Sequence, residues 1–356
     1  MRKLLAGLLI SLFLSSYSHA LQIAVGSYVG NGLDSQDVCW NSEAGCEITA
    51  TNTNSAPTFQ PDFVLIKGDL AAQGWILKTA SMVGDLACTI NTGTDCVTDR
   101  IQALNTTGFQ IGANAQTNTN TTTYHFIAIK DNGQTDFTVG DYTVTASPAD
   151  DRNIDISDTS DTASADFLPG MVFVKCNSAN AGVWNTTDMG ANSTSGFSQE
   201  ADQGNAIQLL ASTGFQLGTD SQVQDASTTC YYAAFKDVST YTKSDNYTGN
   251  SAVDNNQVTT VGFQPIFMFI KGASATSTAA YRFGSNSGDS SYAGSNATAA
   301  DRIQNFLSNG FEYGTSNPVN ETSVDMQWWA LGQPPATGRR TIILGNLIQQ
   351  MNRRNV

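Results

Sequence analysis

Three times along this chain an apolar run opens on Phe-x-Pro and closes on lysine. The copies are Phe59-Gln60-Pro61-Asp62-Phe63-Val64-Leu65-Ile66-Lys67, Phe167-Leu168-Pro169-Gly170-Met171-Val172-Phe173-Val174-Lys175 and Phe263-Gln264-Pro265-Ile266-Phe267-Met268-Phe269-Ile270-Lys271, spaced by 108 and 96 residues. A proline at the head of such a run removes a ladder donor where a strand tolerates the loss, and the uninterrupted apolar stretch behind it reads as buried sheet. A second block follows each copy: Asp99-Arg100-Ile101-Gln102-Ala103-Leu104, Gly204-Asn205-Ala206-Ile207-Gln208-Leu209 and Asp301-Arg302-Ile303-Gln304-Asn305-Phe306. These six-residue stretches read as a short helical turn or loop. The Gly-Phe-x-apolar-Gly stretches beginning at Gly108, Gly214 and Gly310 read as short strands between turn glycines. A closing aromatic strand (Thr123–Asp131, Thr229–Asp237, Asp325–Gly332) and a Tyr-containing opener around Tyr28, Tyr142 and Tyr247 complete each unit.

Four blocks in one order, three times, predict an all-β protein of three tandem β-sandwich, jelly-roll-like domains at 21–131, 136–237 and 240–333. Propeller blades repeat at about 40–45 residues, which these spacings exclude. Units of this length can each bury a core, so the expectation is independent domains strung like beads.

The N-terminus, residues 1–20, pairs Arg2 and Lys3 with an apolar run from Leu4 to Leu14 and a Ser18-His19-Ala20 cleavage site. That is the pattern of a signal peptide, too short to span a bilayer, and it predicts a secreted, extracellular or cell-surface protein without a membrane span. Charged residues are 13 % of the chain, and Lys plus Arg total 17 against 31 acidic residues. A net charge of −14 argues against nucleic acid as a partner. Six cysteines in an exported chain predict disulfides, Cys39 with Cys46, Cys88 with Cys96, and Cys176 with Cys230. A metal site is disfavoured because Cys-x-x-Cys is missing and His125 is the only histidine after the signal peptide.

The openers Tyr28-Val29-Gly30-Asn31-Gly32 and Tyr247-Thr248-Gly249-Asn250, with the Phe-x-Pro strand, the Asp-Arg-Ile block and the closing aromatic strand in that order, resemble an uncharacterised β-domain repeat of phage structural or tail-associated proteins and marine bacterial surface proteins. The resemblance covers all three units and is weakest in the second, which has Phe167-Leu168-Pro169 and lacks the Gly-Asn opener. It implies a structural, adhesive or ligand-binding role and brings no catalytic residues with it.

Chemistry-bearing constellations are sparse. His125 lies in an alternating strand where its positional partners are Tyr231 and Gln327, so it reads as structural rather than as a catalytic base. Asp62 and Glu47 have no counterparts in the other copies; Asp99 and Asp301 adjoin Arg100 and Arg302, which suggests loop-fixing ion pairs. Asp150, Asp151, Asp155, Asp158 and Asp161 form an acidic stretch where Ca2+ is conceivable, although a solvated loop explains it better; no other cofactor is expected. Trp75, Trp184 and Tyr281 follow the repeated lysines by eight to ten residues and read as core aromatics before sugar-stacking ones. Of Trp328 and Trp329, one should lie outside the core or under the tail, since neighbours on a strand face opposite ways. Asn105, Asn120, Asn185, Asn192, Asn246, Asn296 and Asn320 head Asn-x-Ser/Thr triplets. The tail, 334–356, sets Ile342, Ile343, Leu344, Leu347 and Ile348 between two arginine pairs and reads as an assembly segment.

The resulting expectation is a non-enzymatic secreted or cell-surface repeat protein of structural, adhesive or assembly role, with self-association or a surface glycan as partner. An array of carbohydrate-binding modules is the alternative, and a secreted hydrolase is the weakest reading.

Overall fold

The computed structural model describes residues 21–335 apart from 41–44, 53, 55–57, 132, 134, 158–166, 252 and 275. The signal peptide, the tail and Asp158 and Asp161 therefore lie outside the described residues.

The described chain is an all-β multi-sandwich of six sheets in three pairs. The first pair has an inner sheet in the order β4 (Thr51–Asn52), β1 (Leu21–Val29), β10 (Thr123–Asp131), β5 (Phe63–Gly68), β6 (Ile76–Thr79) and β7 (Cys88–Thr89). Its outer sheet is β3 (Ile48–Thr49), β2 (Gln36–Cys39), β9 (Gly108–Ile111) and β8 (Ile101–Asn105). The second pair has the inner order β11 (Phe137–Thr143), β18 (Thr229–Lys236), β13 (Pro169–Cys176), β14 (Val183–Thr186) and β15 (Ser195–Gly196), under β12 (Arg152–Asp155), β17 (Gly214–Leu217) and β16 (Ile207–Ala211). The third repeats that order as β19 (Thr242–Thr248), β26 (Asp325–Gly332), β21 (Pro265–Gly272), β22 (Ala280–Phe283) and β23 (Tyr292–Ala293), under β20 (Asn256–Val258), β25 (Gly310–Tyr313) and β24 (Ile303–Leu307).

In each inner sheet the opener strand pairs with the closing strand, which pairs with the Phe-x-Pro strand. Pro169 and Pro265 stand at the strand heads, where the register slips before residues 171 and 267, so the missing donor costs no regular rung.

The second block departs from the expected turn or loop: Ile101–Asn105, Ile207–Ala211 and Ile303–Leu307 are strands. Each carries a register shift, between 101 and 103, 207 and 209, and 303 and 305. One extra residue at a bulge breaks the two-residue alternation by which a strand is recognised. The single helical turns stand elsewhere, as α1 (Ala115–Asn118) and α2 (Asn317–Asn320).

The expectation of separate beads is overturned. Along β5, Val64 and Ile66 face the first pair's own outer sheet, whereas Phe63 and Leu65 face a core shared with Met171 and Phe173 of β13 and Phe267 and Phe269 of β21. The three inner sheets thus pack against one another, and each is apolar on both faces because both are covered. This also corrects the expectation for the tryptophan pair on β26. Trp328 enters the third pair's own core and Trp329 the shared one, and both are buried.

The opener tyrosines fasten each inner sheet to the connection that leads from the outer sheet to the closing strand. Tyr28 donates to Thr117 O at 2.6 Å, Tyr142 to Val223 O at 2.6 Å, and Tyr247 to Val319 O. Asn118 and Asn320 also hold the Gly-Asn openers, accepting from the Asn31 and Asn250 amides at 2.8 and 2.7 Å. The second pair, without that turn, uses the longer Gln224, which donates to Ala149 O at 2.6 Å.

Candidate functional site

The shared core is apolar until its strands reach the repeated lysines. Lys67, Lys175 and Lys271 stand in register opposite His125, Tyr231 and Gln327 of the closing strands. Strand alternation turns all six side chains toward the shared core, at the end where the inner sheets meet. The three lysines are fully buried. Lys67 donates to Gly68 O, and to Leu70 O at 3.2 Å; Lys175 donates to Ser178 O at 2.8 Å and Lys271 to Ser274 O at 2.9 Å. Burial pulls the Lys67 ammonium down to about 7, against the opposing pull of Asp69, and Lys175 down to about 8. Lys271 is lowered in the same direction, burial outweighing the nearby Asp202, Glu321 and Glu200.

Each lysine looks across a seam to another sheet pair. Lys67 lies 4.8 Å from the ring centre of Tyr292 on β23, and Lys271 donates to Glu200 O of the second pair at 2.8 Å. Lys175 feels the charge of Asp95 in the first pair. The contacts therefore run first to third, third to second and second to first, closing a ring as head-to-tail contacts do. Different residues reinforce each seam. Cys96 N donates to Asn177 Oδ1 at 3.0 Å in one, and Gln327 Nε2 to Asp202 Oδ2 at 2.7 Å in another.

The first–third seam holds the richest chemistry. His125 Nδ1 is 2.7 Å from Ser285 Oγ, its Nε2 is 3.6 Å from Asp69 Oδ1, and Tyr292 donates to the same carboxylate oxygen at 2.5 Å. Burial raises the Asp69 carboxyl, but the His125 and Tyr292 hydrogen bonds and the Lys67 charge outweigh it and leave it below its ordinary value. Burial and Asp69 push the Tyr292 phenol upward.

Ser285, His125 and Asp69 are of the residue types found in a nucleophilic triad, but the Ser285 hydroxyl has a second acceptor. Ser285 Oγ donates to Gly26 O at 2.9 Å, and that carbonyl can only accept. The contact with His125 is then an N–H donated to Oγ, whereas activating a serine requires its own proton to point at the imidazole. The arrangement ties β1 and β10 to the turn after β22. Around His125 the fold gathers Lys67, Asp69, Ser285 and Tyr292, none of which stands out in the sequence as a site residue. A lysine ending an apolar run three times was the visible signal.

The other sequence candidates are dispersed. The six cysteines form the three expected disulfides, and Cys176 stands directly opposite Cys230 across β13 and β18. Trp75, Trp184 and Tyr281 are buried in the shared core. Asp62 pairs with Lys130 at 2.9 Å, and Glu47 accepts from Asp37 N at 2.9 Å.

Asp99 and Asp301 do not form the expected pairs with Arg100 and Arg302. Both aspartates have positive φ, 65° and 64°, and cap the amides of Ala113 and Thr315, while Arg100 reaches Thr89 Oγ1 at 2.8 Å and Arg302 reaches Ser291 O at 3.2 Å. Asp150 accepts from Gln208 and Asp155 from Ser157. Among the described residues no three His, Cys, Asp or Glu side chains gather as a metal site. Asn185 and Asn320 are buried, and Asn120, Asn192, Asn246 and Asn296 are exposed. Ile342, Ile343, Leu344, Leu347 and Ile348 lie outside the described residues.

Two open polar grooves occupy matching places at the Phe-x-Pro ends. One of about 470 Å³ lies beside Gln60, Asp62, Gln102 and Lys130, and one of about 400 Å³ beside Pro169, Thr187, Lys236 and Asp237. In the second, the Asp237 carboxylate fills the space a side chain at Gly170 would take, the place of Asp62 in the first.

Residues 44–333 match a protein family described as a domain of unknown function, DUF7483. No curated protein matches the chain. Among the described residues no helix is long and apolar enough to cross a membrane.

Proposed function

We propose, for a chain that belongs to the DUF7483 family and so carries a domain of unknown function, an exported, non-enzymatic structural role: a rigid building block that assembles or adheres at a surface, cellular or phage-like. The observation that carries this reading is the use to which the titratable groups are put. His125, Asp69, Tyr292 and Lys67 tie sheet pairs together across a buried seam, and Ser285 holds its proton away from the imidazole. Three disulfides add cross-links of the kind that persist in oxidising compartments.

The test is to purify the exported chain and follow it by sedimentation and negative-stain microscopy, beside a fluorophosphonate probe for an activated serine. Ordered oligomers or filaments without labelling are expected. Labelling abolished by Ser285→Ala would overturn the structural reading.

Glycan binding is the second reading. Trp75, Trp184 and Tyr281 offer it no stacking platform, being buried. The matching grooves at Asp62 and Asp237 favour it, and a glycan array in which Asp62→Ala abolishes a signal would establish it.

A further inference from the structure

We propose that the groove beside the end of β1 takes the chain's own C-terminal segment, residues 341–348. This inference goes beyond the structural role above and stands whether or not the protein assembles.

The groove exists because one wall of the inner sheet turns away. β4 pairs with β1 only at Gly26 and Ser27. Ala50 then donates to Cys39 O, and Ile48 and Thr49 join β2 in parallel, so that strand crosses to the outer sheet. What opens alongside Tyr28 and Val29 is a groove of about 440 Å³ bordered by Glu47, Ile48, Thr49 and Thr51. Val29 is 55 % exposed. A strand end with one open edge suits an added strand, which takes main-chain hydrogen bonds from the edge and places alternate side chains against the walls.

The occupant is singled out by where the described chain ends. Asn54 binds the β1 edge, its Nδ2 donating to Ile23 O at 2.7 Å and its Oδ1 accepting from Val25 N at 3.1 Å. The same Nδ2 donates to Gln333 Oε1 at 2.7 Å, so the C-terminal segment departs from this edge. From Val25 to Val29 is about 13 Å at ~3.3 Å per strand residue, and the eight steps from Gln333 to Thr341 span up to about 26 Å. Reach is ample.

The segment Thr341-Ile342-Ile343-Leu344 is β-branched and apolar without proline, a good strand sequence. Residues 336–356 hold four of the 17 basic residues and none of the 31 acidic ones, so their charge complements the remainder of the chain. A short tether supplies an effective concentration near millimolar, which favours docking within one chain over capture of a second copy.

The test compares the full chain with one ending at Pro335, using hydrogen exchange of the Val29 amide, which faces the open edge because Tyr28 and Gly30 pair with β10, at two protein concentrations tenfold apart. A synthetic peptide of residues 338–350 is then titrated into the shortened chain. Exchange at this amide is expected to be at least tenfold slower in the full chain at both concentrations. The peptide should restore that protection, and a peptide carrying Ile343→Asp should not. Equal exchange in the two chains overturns the proposal, as does protection that grows with concentration, which would mean a second copy supplies the strand. Peptide protection of some other surface also overturns it. Because the decisive variant is made in the peptide, misfolding of the protein cannot imitate either result.

Discussion

Trp75→Ala tests whether the three sheet pairs are energetically one body. The Trp75 ring meets Tyr281 of the third pair and lies 5.4 Å from Phe197 of the second, and its indole N–H donates to Gly294 O at 3.2 Å. Burying a tryptophan removes about 150–250 Å² from water, or about 4–6 kcal/mol at 25 cal/mol per Å². Alanine keeps part of that area, while the lost hydrogen bond and the cavity add to the cost, leaving about 4–5 kcal/mol. For a chain of 356 residues each kcal/mol lowers Tm by about 1.5 °C, so a fall of about 7 °C is expected in calorimetry. The distribution of the effect matters more than its size. With a shared core, exchange protection should drop together in β5, β13 and β21, and the melt should remain a single transition. If β13 and β21 kept full protection while the first pair melted early, the shared-core reasoning would be refuted.

The buried ammonium of Lys67 should make stability rise with pH. Its folded value is lowered to about 7 from an ordinary 10.5, so between these values the unfolded chain binds the extra proton and alkali favours the fold. Lys67→Met should remove up to about 1.4 kcal/mol per pH unit of that slope, measured by urea titrations at pH 7.5, 8.5 and 9.5. Tyr28→Phe leaves Thr117 O without its donor and should cost about 1–2 kcal/mol, with faster exchange confined first to α1. Replacing Cys176 and Cys230 together by serine opens a link spanning 54 residues and should cost about 2–4 kcal/mol, read as a lower denaturant midpoint. An unchanged midpoint would mean that the paired strands hold the junction without the bond.

Much of the strand inventory was legible because it depends on nearest neighbours along the chain. The Phe-x-Pro heads, the closing aromatic strands and the opener tyrosines announce themselves by apolar runs and alternation, and two of the disulfides by local spacing, which leaves Cys176 and Cys230 as the third pair. Strands β8, β16 and β24 were hidden because a bulge shifts their alternation by one residue. The candidate site was hidden for a different reason: His125 and Ser285 are 160 residues apart, and no motif links them.

The sequence by itself determined the all-β class, the recurrent blocks and the cross-linked cysteines, since local periodicity and composition carry that information. Only the tertiary structure decided how the sheet pairs relate. An apolar run is equally apolar whether its second face meets a sandwich partner or a neighbouring sheet, so Phe63 and Val64 look alike in sequence although they serve different cores. Closure of the ring then placed the lysines, the histidine and the acidic residues at seams. Much of what differs from copy to copy there, including His125, Tyr292, Cys96 and Asp202, serves to hold each pair against its own neighbour.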